Sequence, residues 1–319
     1  MGVAARIIVR AARWGRQSCL QAGILLGALW CAGVPAAWAQ VVLLVEGNAS
    51  IYRQAAQGFQ QGFSNPVSLE RIELSGDSPE RETRLAALRK NQPRLVVAIG
   101  TQVARAAKSQ LAGVPLLYCL ALSPEENDLV GPDIGGIGFD VKLSEQFAVI
   151  QKALPKIKRI GVIYDEPVSG RLVREARQHL QPGVRLEARE ARSPQEAARA
   201  IQTLSGQVDA FWLLWDRVIA NQANFRLLVD FSLKNKVALI APAAPFVEAG
   251  ALLSVGADYG KAGRRAAELA KLILEGKARA GDFPAEPPQD PVLTINGGVA
   301  RLLNLSFPPD LRADILAPP

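Results

Sequence analysis

Asp216 and Arg217 stand side by side where the apolar run Ala210–Leu214 gives way to a polar loop. A carboxylate there can accept hydrogen bonds from a ligand ammonium. The adjoining guanidinium can hold a carboxylate or pair with Asp216 itself. Other polar groups follow other short apolar runs. Glu46 and Asn48 come after Val41–Val45, Thr101 and Gln102 after Leu95–Ile99, and Ser123 after Leu116–Leu120. Asp165 and Ser169 follow Ile160–Tyr164, and Pro245 lies in the loop after Val237–Ile240. Thr101 and Ser169 fall where helices open, so hydroxyls and free N–H groups there can receive an anion. They read equally as plain helix caps. Glu46 reads as a ligand contact or as a salt-bridge partner near a hinge. Trp215 reads as a cleft wall, together with Tyr164, or as core. This is chemistry for holding a small polar molecule.

The same residues argue against catalysis. His179 is the only histidine and lies in a polar helical stretch, so no histidine-rich metal site can form, and no cofactor is expected. Cys119 sits inside an apolar run, away from any evident base, and reads as a buried thiol. Gly135, Gly136 and Gly138 lack the G-x-G-x-x-G spacing of a dinucleotide loop. Asp165 and Asp216 are the remaining candidates for a hydrolytic carboxylate pair, although acids that open helices also serve as caps. The chain is read as a non-enzyme.

The elements that must position these residues alternate regularly. Apolar runs at 41–45, 95–99, 116–120, 160–164, 210–214, 237–240 and 252–255 are apolar throughout, which suits strands buried on both faces of a parallel sheet. Amphipathic stretches at 51–63, 79–91, 101–111, 143–154, 168–180, 194–204, 221–235 and 261–274 separate them, giving an α/β class. Ser193-Pro194 with Glu196 predicts a capping box, Ser78-Pro79-Glu80 a similar start, and Gly276 a left-handed helix end. The alternation occurs twice, over about 40–137 and 141–256, with the glycine-rich stretch 131–138 between. Two lobes with a cleft follow; one large doubly wound domain is the alternative. In such lobes ligands meet the C-terminal ends of strands, where the polar residues above fall. A further strand is expected at 292–295 and a short helix near 298–303.

The first 39 residues have a separate meaning. Arg6, Arg10, Arg13 and Arg16 precede an apolar run from Cys19 to about Val34, and Ala37-Trp38-Ala39 offers an A-x-A site. Export with cleavage before Gln40 is expected. This segment holds four of the 37 basic residues and none of the 30 acidic ones, so its loss lowers the net charge from +7 to +3. No concentrated basic face then remains for nucleic acid. Arg171, Arg174 and Arg177 read as a solvated helix face. Only Cys119 of the three cysteines survives, so no disulfide can form within the mature chain.

Four stretches together resemble the extracytoplasmic solute-binding proteins of ABC importers, in the branch that binds tryptophan, tyrosine or related solutes. They are Lys158–Asp165 with Ser169 beyond, Val208–Asp216, Gly250–Gly263, and Ile295-Asn296 followed by Ala300 and Leu302–Leu305. The resemblance covers the mature chain. It implies a type I periplasmic-binding fold of two Rossmann-like lobes with three crossings and an interlobe cleft. Lobe 1 would be 40–138 plus 259–286 and lobe 2 would be 139–256 plus 291–319. The crossings would lie near 138–140, 256–258 and 287–291. It further implies a periplasmic monomer that captures a small polar or amino-acid-like ligand and delivers it to an inner-membrane permease. A ligand-sensing or protein-interaction module without transport is the alternative. The chain departs from its relatives at ligand-contacting loops. Glu46–Ile51 replaces a loop with a His-Pro pair, Phe139-Asp140 stands where Ser-Asp is common, and Arg217-Val218 replaces Asn-Thr after Asp216.

Overall fold

The computed structural model describes residues 40–64, 67–74 and 79–317. The expected signal segment and the Ser78 cap lie outside the described residues. Two sheets form. The first has the order β2-β1-β3-β4-β5 and is parallel throughout: β1 (Val41–Glu46), β2 (Leu69–Leu74), β3 (Leu95–Ile99), β4 (Leu116–Ala121) and β5 (Ile134–Gly138). Its helices are α1 (Ser50–Gly62), α2 (Pro79–Asn91) and α3 (Thr101–Gln110).

The second sheet has the order β12-β11-β10-β9-β8-β6-β7. Its strands are β6 (Arg159–Tyr164), β7 (Arg185–Glu190), β8 (Ala210–Trp212), β9 (Ala238–Ala241), β10 (Leu253–Gly256), β11 (Val292–Asn296) and β12 (Asp314–Ala317). Only β10 and β11 run antiparallel; every other pairing in this sheet is parallel. Between its strands lie α4 (Leu143–Ala153), α5 (Glu166–Ala176), α6 (Pro194–Thr203), α7 (Gln222–Asn235), the short α8 (Ala244–Glu248) and α10 (Gly297–Leu302). The remaining helix, α9 (Tyr259–Leu274), packs on α1 of the first lobe.

The unbroken apolar strands have a direct cause. Val41, Leu43 and Val45 face a core with Phe59, Ala266 and Leu269, while Val42 and Leu44 face another with Leu85, Leu88 and Val103. Helices cover both faces, so every position along the strand is dry. The second sheet is sandwiched likewise, by Phe147, Ile150 and Val173 on one face and Ile201, Leu228 and Phe231 on the other.

The chain passes between the sheets three times: after β5, after β10, and between residue 286 and β11. The last passage is anchored to β5. Gly136 N–H donates to Phe283 C=O at 2.8 Å, Glu286 N–H to Gly136 C=O at 2.8 Å, and Gly138 N–H to Glu286 C=O at 2.9 Å. Arg265 of α9 clamps the Glu286 carboxylate from both nitrogens at 3.1 Å. Residues 134–138, part of the glycine-rich stretch expected between the two blocks, are therefore a strand. Its glycines have a packing reason: a Cβ on Gly135 would run into the carbonyls of Ala280 and Phe283, and Gly136 has φ +146°.

Local signals held in detail with two adjustments. Ser193 accepts from Glu196 N–H at 3.2 Å, but the Glu196 carboxylate reaches Arg192 N–H at 2.9 Å instead of closing the box on Ser193. The helix expected at 168–180 begins at Glu166 and ends at Ala176, passing into a 3₁₀ turn at Arg177–His179. Gly276 takes the left-handed conformation, φ +69°, after α9. No described helix is long and apolar enough to cross a membrane.

Candidate ligand-binding site

A cavity of about 490 Å³ opens between the sheets beside the first crossing. Its walls come from the loop after β4, residues 138–142, the first turns of α5, the end of β8 and the second crossing at Gly256. This volume suits a small solute. Four of the expected site residues line it: Ser123, Phe139, Asp140 and Ser169.

Asp140 sits at the crossing, open to solvent through the cleft and surrounded by protein elsewhere. Desolvation pushes its carboxyl up from 3.8 to about 6; the nearby Glu126 charge adds to this, and the Ser123 N–H, donating to the carboxylate, opposes it. Ser123 holds that N–H in place with a left-handed backbone, φ +35°. Phe139 is fixed by its N–H donating to Ala121 C=O at 2.8 Å. Its ring meets Trp215 edge-on at 5.6 Å and lies 6.2 Å from Tyr259; Trp215 in turn meets Phe246 at 5.2 Å. One aromatic row thus runs from the crossing into the second lobe. Trp215 remains 38 % exposed on the cavity wall. Trp212, at the end of β8, is buried and packs edge-on against Phe147 at 5.0 Å. The two tryptophans part because β8 stops at Trp212 and Trp215 belongs to the loop beyond.

The other expected residues do different work. Asp216 is fully buried; its carboxylate accepts from Asp165 N–H at 2.8 Å and Val218 N–H at 3.1 Å, tying two loops of the second lobe together. It does not line the cavity. The physical reason is that the loop backbone after β8 leaves donors buried, and the carboxylate satisfies them. Arg217 is exposed and forms no ion pair with Asp216. Asp165 opens α5 without a side-chain cap, while its carbonyl accepts from Val168 and Ser169 N–H. Pro245 is exposed in the first turn of α8.

Across the cleft, Glu46 ends β1, and its carboxylate accepts from Gln102 N–H at 2.7 Å and from Val103 N–H. Burial raises its pKa, and these two bonds and the Arg81 charge offset part of the rise. Gly100 makes room for this side chain: at φ +110°, a Cβ there would lie 2.5 Å from Glu46 Oε2. Thr101 is buried, its hydroxyl accepting from Leu122 N–H at 3.0 Å. Gln102 is exposed, and Asn48 accepts from the Arg53 guanidinium. Tyr52, near Glu46, has its hydroxyl pushed up to about 12 by burial.

Sequence reasoning missed several cavity residues: Glu125, Glu126, Lys142, Gln146, Arg171 and Glu175. Glu125 and Glu126 directly follow the Ala121–Pro124 loop, so its length was the available signal. Lys142 and Gln146 follow the crossing. Gln146 donates to Val255 C=O at 3.2 Å, joining α4 to β10. Cys119 is buried, and burial pushes its thiol up to about 12, consistent with an inert core group. Among the described residues no cluster of metal-ligating side chains occurs.

Residues 40–314 match the ABC transporter substrate-binding protein family. A tyrosine-binding protein of Clostridioides difficile (strain R20291) is 25 % identical over 258 residues, which cover 78 % of this chain and 73 % of that one. The ligand-free, open structure of a substrate-binding protein with adhesive properties from Clostridium difficile superposes with a TM-score of 0.74 at 20 % identity, covering 88 % of this chain and 99 % of that one. An ABC domain from Streptococcus pneumonia in complex with L-Trp gives a TM-score of 0.65 at 23 % identity, covering 86 % and 99 %. The chain belongs to the ABC transporter substrate-binding protein family, the extracytoplasmic solute-binding receptors of ABC-type import systems, which bind and do not catalyse.

Proposed function

We propose that this receptor captures a small polar, amino-acid-like solute in the cavity at the first crossing and delivers it to an inner-membrane permease. The ligand's cationic nitrogen sits on Asp140, and its apolar part lies against Phe139 and Trp215. Ser123 and Ser169 supply hydrogen bonds. The observation that carries this reading is a carboxylate at the first crossing, directly after Phe139 of the aromatic row, in a cavity lined by both lobes. Closure follows when the ligand touches both lobes, because only differential affinity shifts the open–closed balance.

In this reading residues 1–39 are removed before Gln40, the mature chain works in the periplasm as a monomer, and the three chain passages act as the hinge. The basic, apolar and A-x-A series supports the first point. N-terminal sequencing of protein from the cell envelope tests it; retention of residues 1–39 would contradict it. For the binding site, D140N should weaken capture of the bound solute about 10- to 150-fold, the worth of one charge-assisted hydrogen bond. Unchanged affinity in a folded D140N protein would remove Asp140 from the site.

A further inference from the structure

We propose that the protein carries a second binding site, behind the second crossing, for a small organic cation with several N–H donors, an alkylammonium or guanidinium compound. Its floor is a polar row across three strands. Ser254 of β10 pairs with Thr294 of β11, and Thr294 pairs with Asp314 of β12. Residues paired across neighbouring strands share one face of a sheet, while their chain neighbours take the other. Leu253, Val255, Leu293 and Ile295 accordingly point into the core of the second lobe. A cavity of about 290 Å³ stands over the polar row. Glu248 of α8, Asp258 of the second crossing and Gln54 of α1 in the first lobe complete its walls. It is separate from the cavity at Asp140. The two lie on opposite faces of β10, with Val255 lining the first, Ser254 lining this one and Gly256 bordering both.

Two independent observations point to a ligand. The first is the pair of hydroxyls. Ser254 is 1 % exposed and Thr294 5 %, and among the described residues neither hydroxyl has a hydrogen-bond partner. Buried polar groups are ordinarily paired, and these two open only onto the cavity. The second is charge. Glu248, Asp258 and Asp314 line the cavity, and no lysine or arginine does. Glu248 and Asp314 form no ion pair among the described residues. Asp258 gives one oxygen to Lys261 N–H at 2.8 Å. Carboxylates without a counter-charge above two unpaired hydroxyl oxygens favour a cation that donates hydrogen bonds. The described carboxylates do not converge into a metal-ligating group, so the wall suits N–H groups spread along an organic cation rather than a bare metal ion. Glu248 and Asp314 are exposed, so the occupant exchanges readily with solvent.

Titration calorimetry of the processed protein with agmatine and putrescine tests the proposal. The D140N background removes the carboxylate of the first cavity, so the binding that remains reports on the second. At least one probe should bind D140N at millimolar concentration or below. T294V and D314N, each added to D140N, should weaken that binding about ten-fold or more. T294V keeps the β-branched shape and removes only the hydroxyl. D314N alters an exposed side chain and carries the test alone if circular dichroism shows T294V unfolded. A folded variant of either kind that keeps the D140N affinity overturns the proposal. So does the binding of neither probe to D140N, and so does magnesium or calcium binding D140N more tightly than both probes do. None of these results touches the receptor reading, which rests on the cavity at Asp140 and fails separately if denatured native protein releases no small molecule.

Discussion

The Asp216 carboxylate accepts the Asp165 N–H at 2.8 Å and is wholly shielded from solvent. Its neighbour Arg217 is exposed, and among the described residues no cation pairs with Asp216. Asp216 is thus a clasp between two loops of the second lobe. In D216N the amide can offer its oxygen to one N–H but sets its NH₂ against the other. An unfolding free energy lower by about 1–3 kcal/mol is expected, measured by urea denaturation. Undiminished stability with lost binding would instead place this side chain in the cleft.

Asp140 gives a pH dependence whose sign is fixed. Its folded pKa, about 6, lies above the ordinary 3.8. The free protein therefore gains stability from this group at low pH and loses that gain as pH rises through about 6. A ligand cation reverses the preference by favouring the carboxylate. Affinity should be level above about pH 7 and fall as pH drops below 6, approaching ten-fold per unit. D140N should abolish that decline and raise the thermal midpoint of the free protein at pH 8. Calorimetry and thermal unfolding from pH 5 to 8 measure both effects.

The α1–α9 contact depends on the absence of side chains. A Cβ on Gly263 would strike the Ala55 carbonyl, and one on Gly58 the Gly260 carbonyl. Backbone cannot yield as a flexible side chain can. G263A should cost about 1–3 kcal/mol or more through overpacking. G276A tests left-handed strain alone, since nothing lies within 4 Å of a Cβ there. Its expected cost is about 1 kcal/mol, so chemical denaturation of the pair separates packing from backbone strain.

Trp215 offers an optical readout. Only two of the five tryptophans, Trp212 and Trp215, lie beyond residue 39. Both line the cavity, but Trp212 is 2 % exposed and packs on Phe147, whereas Trp215 is 38 % exposed. Ligand addition should change the fluorescence of W212F, which keeps Trp215, more than that of W215F. W215A should weaken binding by about ten-fold, near 1.4 kcal/mol, with little loss of stability.

The sequence showed most of the fold because its central strands are apolar at every position. Edge strands escaped it. β2 (LERIEL) and β7 (RLEARE) each lie at a sheet margin, where solvent on one side permits charge, so neither reads as a buried run. β5 escaped because its three glycines signal a turn, whereas Gly135 admits the Ala280 and Phe283 carbonyls and Gly136 lies against the Tyr118 backbone of β4. The walls of the cavity were legible by loop but not by residue. Strand ends pointed to the loops that line it, yet spacing could not show that Glu46 and Asp216 turn their carboxylates onto backbone donors. That outcome depends on the conformations of Gly100 and of the loop after β8, which only the folded chain fixes.

The most direct measurement is mass spectrometry of the small molecules released on denaturing wild-type and D140N protein, each isolated from the cell envelope without dialysis. The wild type should release one basic-nitrogen solute in near-stoichiometric amount, and D140N should release far less of it. Equal release from the two proteins, or a bound compound with no basic nitrogen, would contradict a cleft built around Asp140.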